Sequence, residues 1–362
     1  MCVSSKNRAV FVCPLFFSCL IKQEMILLVQ EQGGNSQMIK KAEKEFIFEK
    51  DSVTAACHAS TVLPLGDGKV LAAWFGGKRE GDDSVGIFLS VRGTDGKWSA
   101  PVLVSENVPV PHWNPVLYEK QNGEIVLFYK YGSEIPDWTT RYVILSRSGE
   151  VISKPRELVP GDVSGGRGPV KNKCLRLPDG RLLAPASTEQ NKKWIPFVDI
   201  SDDDGTTWYN SGYMERPKYK GAYVGLIQPS LWRSKDGGVH CFMRSDKGAI
   251  YRSSSFDDGI SWLKPYRTRL PNNNSGIDCD TDSLGRIWLI YNPVDVNWGV
   301  RYPLSLAVST DNGKHFTEIM KLEAGRGEFS YPAVVCRNDT LYITYTHKRK
   351  QVVFWRIELE KE

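Results

Sequence analysis

The sequence predicts an all-β fold, a six-bladed β-propeller of four-stranded blades, and three observations predict it. The first is a repeated turn: Ser201 to Trp208 reads S-x-D-x-G-x-T-W, Ser255 to Trp262 repeats it with Ser261 for Thr, and Ser309 to Phe316 repeats it with Phe last. The first serines recur every 54 residues, at 201, 255 and 309. Fainter echoes, Ser90 to Trp98 and Ser146 to Gly149, carry the same period upstream. The second is a polar turn opening into an apolar run, as in Gly66-Asp67-Gly68 before Val70 to Trp74. Its copies stand at Asn122-Gly123, Asp179-Gly180, Asp236-Gly237, Leu284-Gly285 and Asn338-Asp339, so six hairpins are expected. The third is the lack of any long amphipathic helical pattern, with 32 glycines, 11 tryptophans and 15 tyrosines in 362 residues.

Each expected blade element has a physical reason. In the repeated turn, Asp and Ser accept from turn amides, Gly takes a positive backbone angle and Trp packs between strands. These residues are assigned to structure and not to chemistry. Six units of about 54 residues need about 320, which a radial repeat can bury while leaving only short sheet edges. The interval from Lys44 to the carboxyl end supplies them, and ring closure pairs Glu45 to Phe48 with Val352 to Ile357.

Ahead of the propeller, assigned to 38–362, residues 1–37 read as a leader. Lys6 and Arg8 precede an apolar run, Ala9 to Ile21, with the order and length of a signal sequence, but no small-x-small cleavage site follows. A secreted or cell-envelope protein follows if it is a signal sequence. If the segment is an extended leader and Met38 the true start, a cytoplasmic one follows. No run reaches the roughly 20 residues of a membrane-spanning helix.

A net charge of +5, from 47 basic and 42 acidic residues spread along the chain, lacks the clustered arm of a nucleic-acid binder. It leaves room for a local basic pocket that takes an acidic small ligand. The eight cysteines include no C-x-x-C pair and are read as buried thiols; no ligand spacing calls for a metal, and no cofactor is expected.

Beyond the turns, the chain resembles the "predicted neuraminidase" group of the sialidase superfamily, where the repeated turn is known as an Asp box. The resemblance is carried by Cys57 to Thr61, Trp74 to Gly77, Gly168 to Lys173, Gln228-Pro229-Ser230, Asn274 to Asp278, Tyr291-Asn292-Pro293 and Ser330 to Ala333. It implies an exo-acting glycoside hydrolase that releases a terminal acidic sugar, sialic acid or a related carboxylated sugar, from a glycan. Its members hold the sugar carboxylate with three arginines, protonate the leaving oxygen with an Asp, and attack with a Tyr activated by a Glu. Arg244 and Arg301 fall where the second and third arginines belong. His58 stands in place of the first, with Arg79 as the compensating cation. Gln228 occupies the position of the activating glutamate, and the nucleophile is expected at Tyr331.

The acid is expected in Arg79-Glu80-Gly81-Asp82-Asp83, at Asp83 or else Glu80, although such a run also reads as a solvated turn. Lys171 and Lys173 alternate onto one strand face and are expected in the pocket. Trp113 is a candidate sugar-stacking ring, and Asp278 and Asn292 complete the expected binding set. Two other functions fit the departures from the family pattern: another glycosidase or a uronate lyase using His58 and Tyr331 as acid and base, and a carbohydrate-binding propeller without turnover.

Overall fold

The computed structural model describes residues 38–361. Six antiparallel sheets of four strands follow one another along the chain as the blades of a propeller. Blade one holds Ala56–Pro64, Val70–Gly77, Gly86–Arg92 and Val102–Leu103. Blade two holds His112–Glu119, Ile125–Tyr131, Thr139–Leu145 and Arg156–Glu157, and blade three Leu175–Arg176, Leu182–Thr188, Ile195–Ser201 and Tyr209–Asn210. Blade four holds Leu226–Arg233, Val239–Ser245, Ala249–Ser255 and Tyr266–Pro271, and blade five Asp278–Thr281, Ile287–Tyr291, Leu304–Ser309 and Thr317–Glu323. Blade six joins Phe329–Arg337, Thr340–His347 and Gln351–Leu359 to the amino-terminal Ile39–Phe46, which closes the ring with Glu45 opposite Phe354. The expected fold and closure are both present. The expected leader lies outside the described residues.

The second strands of blades one and three, Val70–Gly77 and Leu182–Thr188, are buried along their whole length. A strand sandwiched between neighbouring blades has no solvated face, so it reads as a continuous apolar run. Among the described residues no α-helix forms, and therefore none is long and apolar enough to cross a membrane.

The three strong repeated turns join third strand to fourth. Asp203 accepts from the amides of Thr206 and Thr207 and from the Thr207 hydroxyl, and Ser201 accepts from the Gly205 amide at φ +88. Although partial burial works against it, this set of donors brings the Asp203 pKa down to about 2. The closing aromatics reach the preceding blade: Trp208 meets Phe128 edge-on at 6.2 Å and Phe316 meets Phe242 at 5.7 Å. Cys57, Cys241 and Cys279 are buried thiols as expected, whereas Cys174 and Cys336 are only partly covered.

A second repeat is visible only in the backbone. Each blade carries one non-glycine residue with positive φ at or just before its inner strand: Ala59, Asn114, Lys171, Gln228, Asn274 and Tyr331. In four of them it sits in a register shift, between His58 and Thr61, Trp113 and Val116, Ile227 and Ser230, and Ser330 and Ala333. A bulge of this kind re-aims the side chain it carries, and each left-handed non-glycine residue costs about 1–3 kcal/mol. Pro115, Pro229 and Pro332 directly follow three of these residues.

Candidate active site

Three of the re-aimed side chains, Asn114, Gln228 and Tyr331, meet in the wall of a cavity of about 290 Å³. Arg244 enters it from the second strand of blade four, Arg301 from the loop before the third strand of blade five, and Arg349 from the last hairpin turn of blade six. The buried Arg244 guanidinium donates from Nε to Asn274 Oδ1 at 2.7 Å and from Nη1 to the Tyr331 hydroxyl oxygen at 2.6 Å. Gln228 Oε1 lies at 3.4 Å from the same Nη1. None of these partners is a carboxylate. Arg301 and Arg349, by contrast, both donate to Glu328 Oε1, at 2.7 and 2.6 Å, and Arg349 also pairs with Glu80 at 2.6 Å.

The aromatic lining fixes these cations. The Tyr331 ring lies 5.7 Å from the Arg244 guanidinium and 5.6 Å from that of Arg301, and Trp194 and Trp298 flank Arg244 at 5.7 and 5.5 Å. Trp113 and Trp138 form the opposite wall, 5.2 Å apart, with Trp113 Nε1 donating to Gly132 O. Two carboxyls line the cavity, Glu80 and Glu189. Burial raises the pKa of Glu189, with Arg244 pulling the other way, so this side chain favours its protonated form more than an ordinary glutamate does.

Of the expected residues, Glu80, Trp113, Gln228, Arg244, Arg301 and Tyr331 come together in this wall. His58 and Arg79 line an adjoining cavity of about 240 Å³ that shares Glu80 and Arg349 with the first. His58 is buried, bonds Thr346 Oγ1 through Nδ1 at 2.8 Å, and leaves Nε2 without a partner; its ring centroid lies 4.2 Å from that of Tyr331. Burial, reinforced by Arg349, Arg301 and Arg244, holds its pKa well below the usual histidine value, so the ring is neutral.

The remaining expected residues are placed elsewhere. Asp83 is exposed on its turn and outside the cavity wall, because Asp82 spends its carboxylate on the Ser84 amide and hydroxyl and turns the loop outward. Lys171 does not reach the wall: its ammonium is buried against Asn172 Oδ1, Ile277 O and Pro332 O at 2.7, 2.7 and 2.6 Å, a clasp between blades three, five and six. Burial lowers its pKa to about 7. Lys173 donates to Cys279 O and faces Asp278 and Asp280. Asp278 accepts from Ser230 Oγ and the Val334 amide, and Asn292 donates to Pro303 O and Phe329 O. These four tie blades together. Among the described residues no cluster of His, Cys, Asp and Glu could hold a metal.

The site also contains residues that sequence reasoning missed. Arg349 lies in His347-Lys348-Arg349-Lys350, which reads as a solvated basic turn, and Glu189 follows a strand with no motif around it. Arg349 nonetheless stands beside His58, since the Cys57 amide donates to its carbonyl at 2.8 Å, and it brings a third guanidinium into the cavity from blade six.

The BNR repeat-like domain model matches residues 68–343. The chain belongs to the BNR repeat-like domain family. Its propeller is the fold of solved sialidases. Among solved structures it is similar to a Trypanosoma rangeli sialidase in complex with the inhibitor DANA, at 14% identity and a TM-score of 0.68, covering 87% of this chain and 59% of that one. A protein of unknown function from Dyadobacter fermentans matches at 15% identity and a TM-score of 0.69, over 88% of this chain and 98% of that one. The NanB sialidase from Streptococcus pneumoniae matches at 14% identity and a TM-score of 0.68, over 87% and 70%. This chain therefore spans little more than half the length of the T. rangeli enzyme. At these identities the likeness is one of fold. No curated protein matches the sequence.

Proposed function

We propose that this BNR-family propeller is a glycoside hydrolase of the sialidase type, releasing a terminal acidic sugar from a glycan. The observation that carries the reading is Arg244, a buried guanidinium without a carboxylate partner, in one cavity with Arg301 and Arg349, which share Glu328. Arg301 and Arg349 are paired with Glu328, and Arg349 with Glu80 as well, whereas Arg244 has no carboxylate among its hydrogen-bond partners. A sugar carboxylate supplies the missing anion, and a planar guanidinium receives it in a defined orientation. The four tryptophans in the wall give a sugar ring faces to stack on.

The chemistry can be divided among the residues in the wall. Glu189, whose pKa burial raises, suits proton delivery to the leaving oxygen. Tyr331, aimed by its bulge and held by Arg244, suits attack or proton relay. Glu80 orients Arg349 through their ion pair.

A uronate lyase is the second reading, and Gln228 favours it. The activating glutamate of the family pattern is replaced by an amide that cannot take a proton from tyrosine, while neutral His58, with Nε2 free beside Tyr331, can act as a base. Incubation with acidic-sugar aryl glycosides and uronate oligosaccharides separates them. Release of a saturated sugar acid supports the hydrolase, an unsaturated uronate end supports the lyase, and binding of acidic sugars without any product overturns both.

A further inference from the structure

The arginine cavity does not end at its tryptophans. Trp194 and Trp298 also line a second cavity of about 210 Å³, with Lys192, Arg216, Asp246 and Asn274. Arg216 in turn lines a third cavity, of about 540 Å³, on the rim between blades three and four. The first and second cavities thus share Trp194 and Trp298, and the second and third share Arg216, so the three adjoin in a row.

The rim portion is built by an insertion in the repeat, the two-stranded hairpin Lys218–Tyr219 and Ala222–Tyr223. It alternates cations and rings. Arg216 and Lys218 each lie 4.9 Å from the Tyr223 ring, and Arg267 lies 5.1 Å and Lys220 5.4 Å from the Tyr219 ring. The acids nearby are already engaged, Glu215 with Lys264 and Asp246 with Lys247. Arg216, Lys218, Lys220, Arg267 and Lys192 have no carboxylate within 4.0 Å among the described residues, and Arg216 Nε is buried without a hydrogen-bond partner. Tyr223, Tyr266 and Trp298 remain 54%, 53% and 63% exposed.

Bare rings beside unpaired cations suit a chain that has both flat apolar faces and carboxylates. We infer that this track binds an extended acidic oligosaccharide, whose terminal sugar sits at Arg244 while later sugars cross Trp194 and Trp298 and lie along Arg216 and Tyr223. The inference rests on the acidic-sugar reading of the arginine cavity and extends it to a polymeric substrate. A polynucleotide is less favoured, because the row of cavities ends in the arginine cavity rather than running on as a basic stripe.

The test is affinity against chain length for the full protein at physiological salt, measured calorimetrically with oligogalacturonides of one to eight residues. Affinity should rise about tenfold or more between disaccharide and hexasaccharide, the equivalent of about 1.4 kcal/mol. In Arg216→Ser, and separately in Tyr223→Ala, that ratio should collapse towards about twofold. Arg216→Lys should restore part of it, and thermal unfolding should show both variants folded. Length-independent binding lost in Arg244→Ala overturns this inference while leaving the arginine cavity as an acidic-sugar site. Absence of binding at every length overturns both. Equal, Arg216-dependent binding of a single-stranded oligonucleotide also overturns the inference, because the track would then be a general polyanion surface.

Discussion

The outer turns and the inner bulges of this propeller both repeat blade by blade, in opposite senses. In the outer turns the side chains repeat: Asp203, Asp257 and Asp311 each accept from the amide four residues on and bond the serine that opens the turn. At or just before the inner strands the backbone repeats and the side chains do not: Ala59, Asn114, Lys171, Gln228, Asn274 and Tyr331 share a positive φ and little else. A constant side chain on a constant backbone maintains the fold. A strained backbone kept constant under changing side chains carries different chemistry from blade to blade: Asn114, Gln228 and Tyr331 line the arginine cavity, while Lys171 clasps blades together.

Substitutions can break or sharpen that comparison. The largest effect is expected at the cavity carboxyls: Glu189→Gln should lower kcat by about 10² to 10⁴ with binding retained, if it supplies the proton. Its pH signature has a definite sign. Because burial raises the folded pKa of Glu189, the stability it contributes is fully present below the ordinary glutamate value and lost as pH rises through the raised one. Glu189→Gln should therefore gain stability relative to the parent as pH rises from about 4 to neutrality, read as the difference in denaturant midpoints. An unchanged difference would remove the buried-acid assignment.

Arg244→Ala should weaken turnover of an acidic substrate by roughly 10² to 10³, mostly in KM, since the carboxylate is charged in ground and transition states alike. A neutral-sugar substrate that lost nothing in the same variant would sharpen the point. Lys171→Met should cost about 2–3 kcal/mol of stability, because its acceptors Asn172 Oδ1, Ile277 O and Pro332 O are left buried without a donor. Urea unfolding measures it directly, and a stability loss near zero would return Lys171 to the list of ligand-binding cations. Asp203→Ala, in an outer turn, should cost about 1 kcal/mol and leave kcat/KM unchanged. The smallest effect is expected at Asp83→Asn, which should stay within about twofold in every kinetic constant, as surface substitutions usually do. A hundredfold loss there would mean that the exposed loop folds over bound substrate.

Much of the candidate site was legible in the sequence because it lies on strands whose period is readable. Arg244 follows a hairpin signal, Arg301 precedes an apolar strand, and Tyr331 sits in a phrase that resembles the family pattern. Lys171 and Arg349 were not legible for one shared reason. A lysine after a glycine-rich loop reads as a pocket cation and an arginine in a basic turn as a solvated one, but what each one meets belongs to other blades: Ile277 and Pro332 for the first, Glu80 for the second.

The sequence by itself determined the fold: a 54-residue period, a glycine-bearing turn and an apolar hairpin are local, and six copies of a unit that cannot bury its own faces must stack. Only the tertiary structure decided which charges are free. Whether an arginine is spent on a carboxylate depends on pairs as distant as Arg349 and Glu80, brought together by ring closure, and Arg244 in the same cavity is left a buried guanidinium without a carboxylate partner.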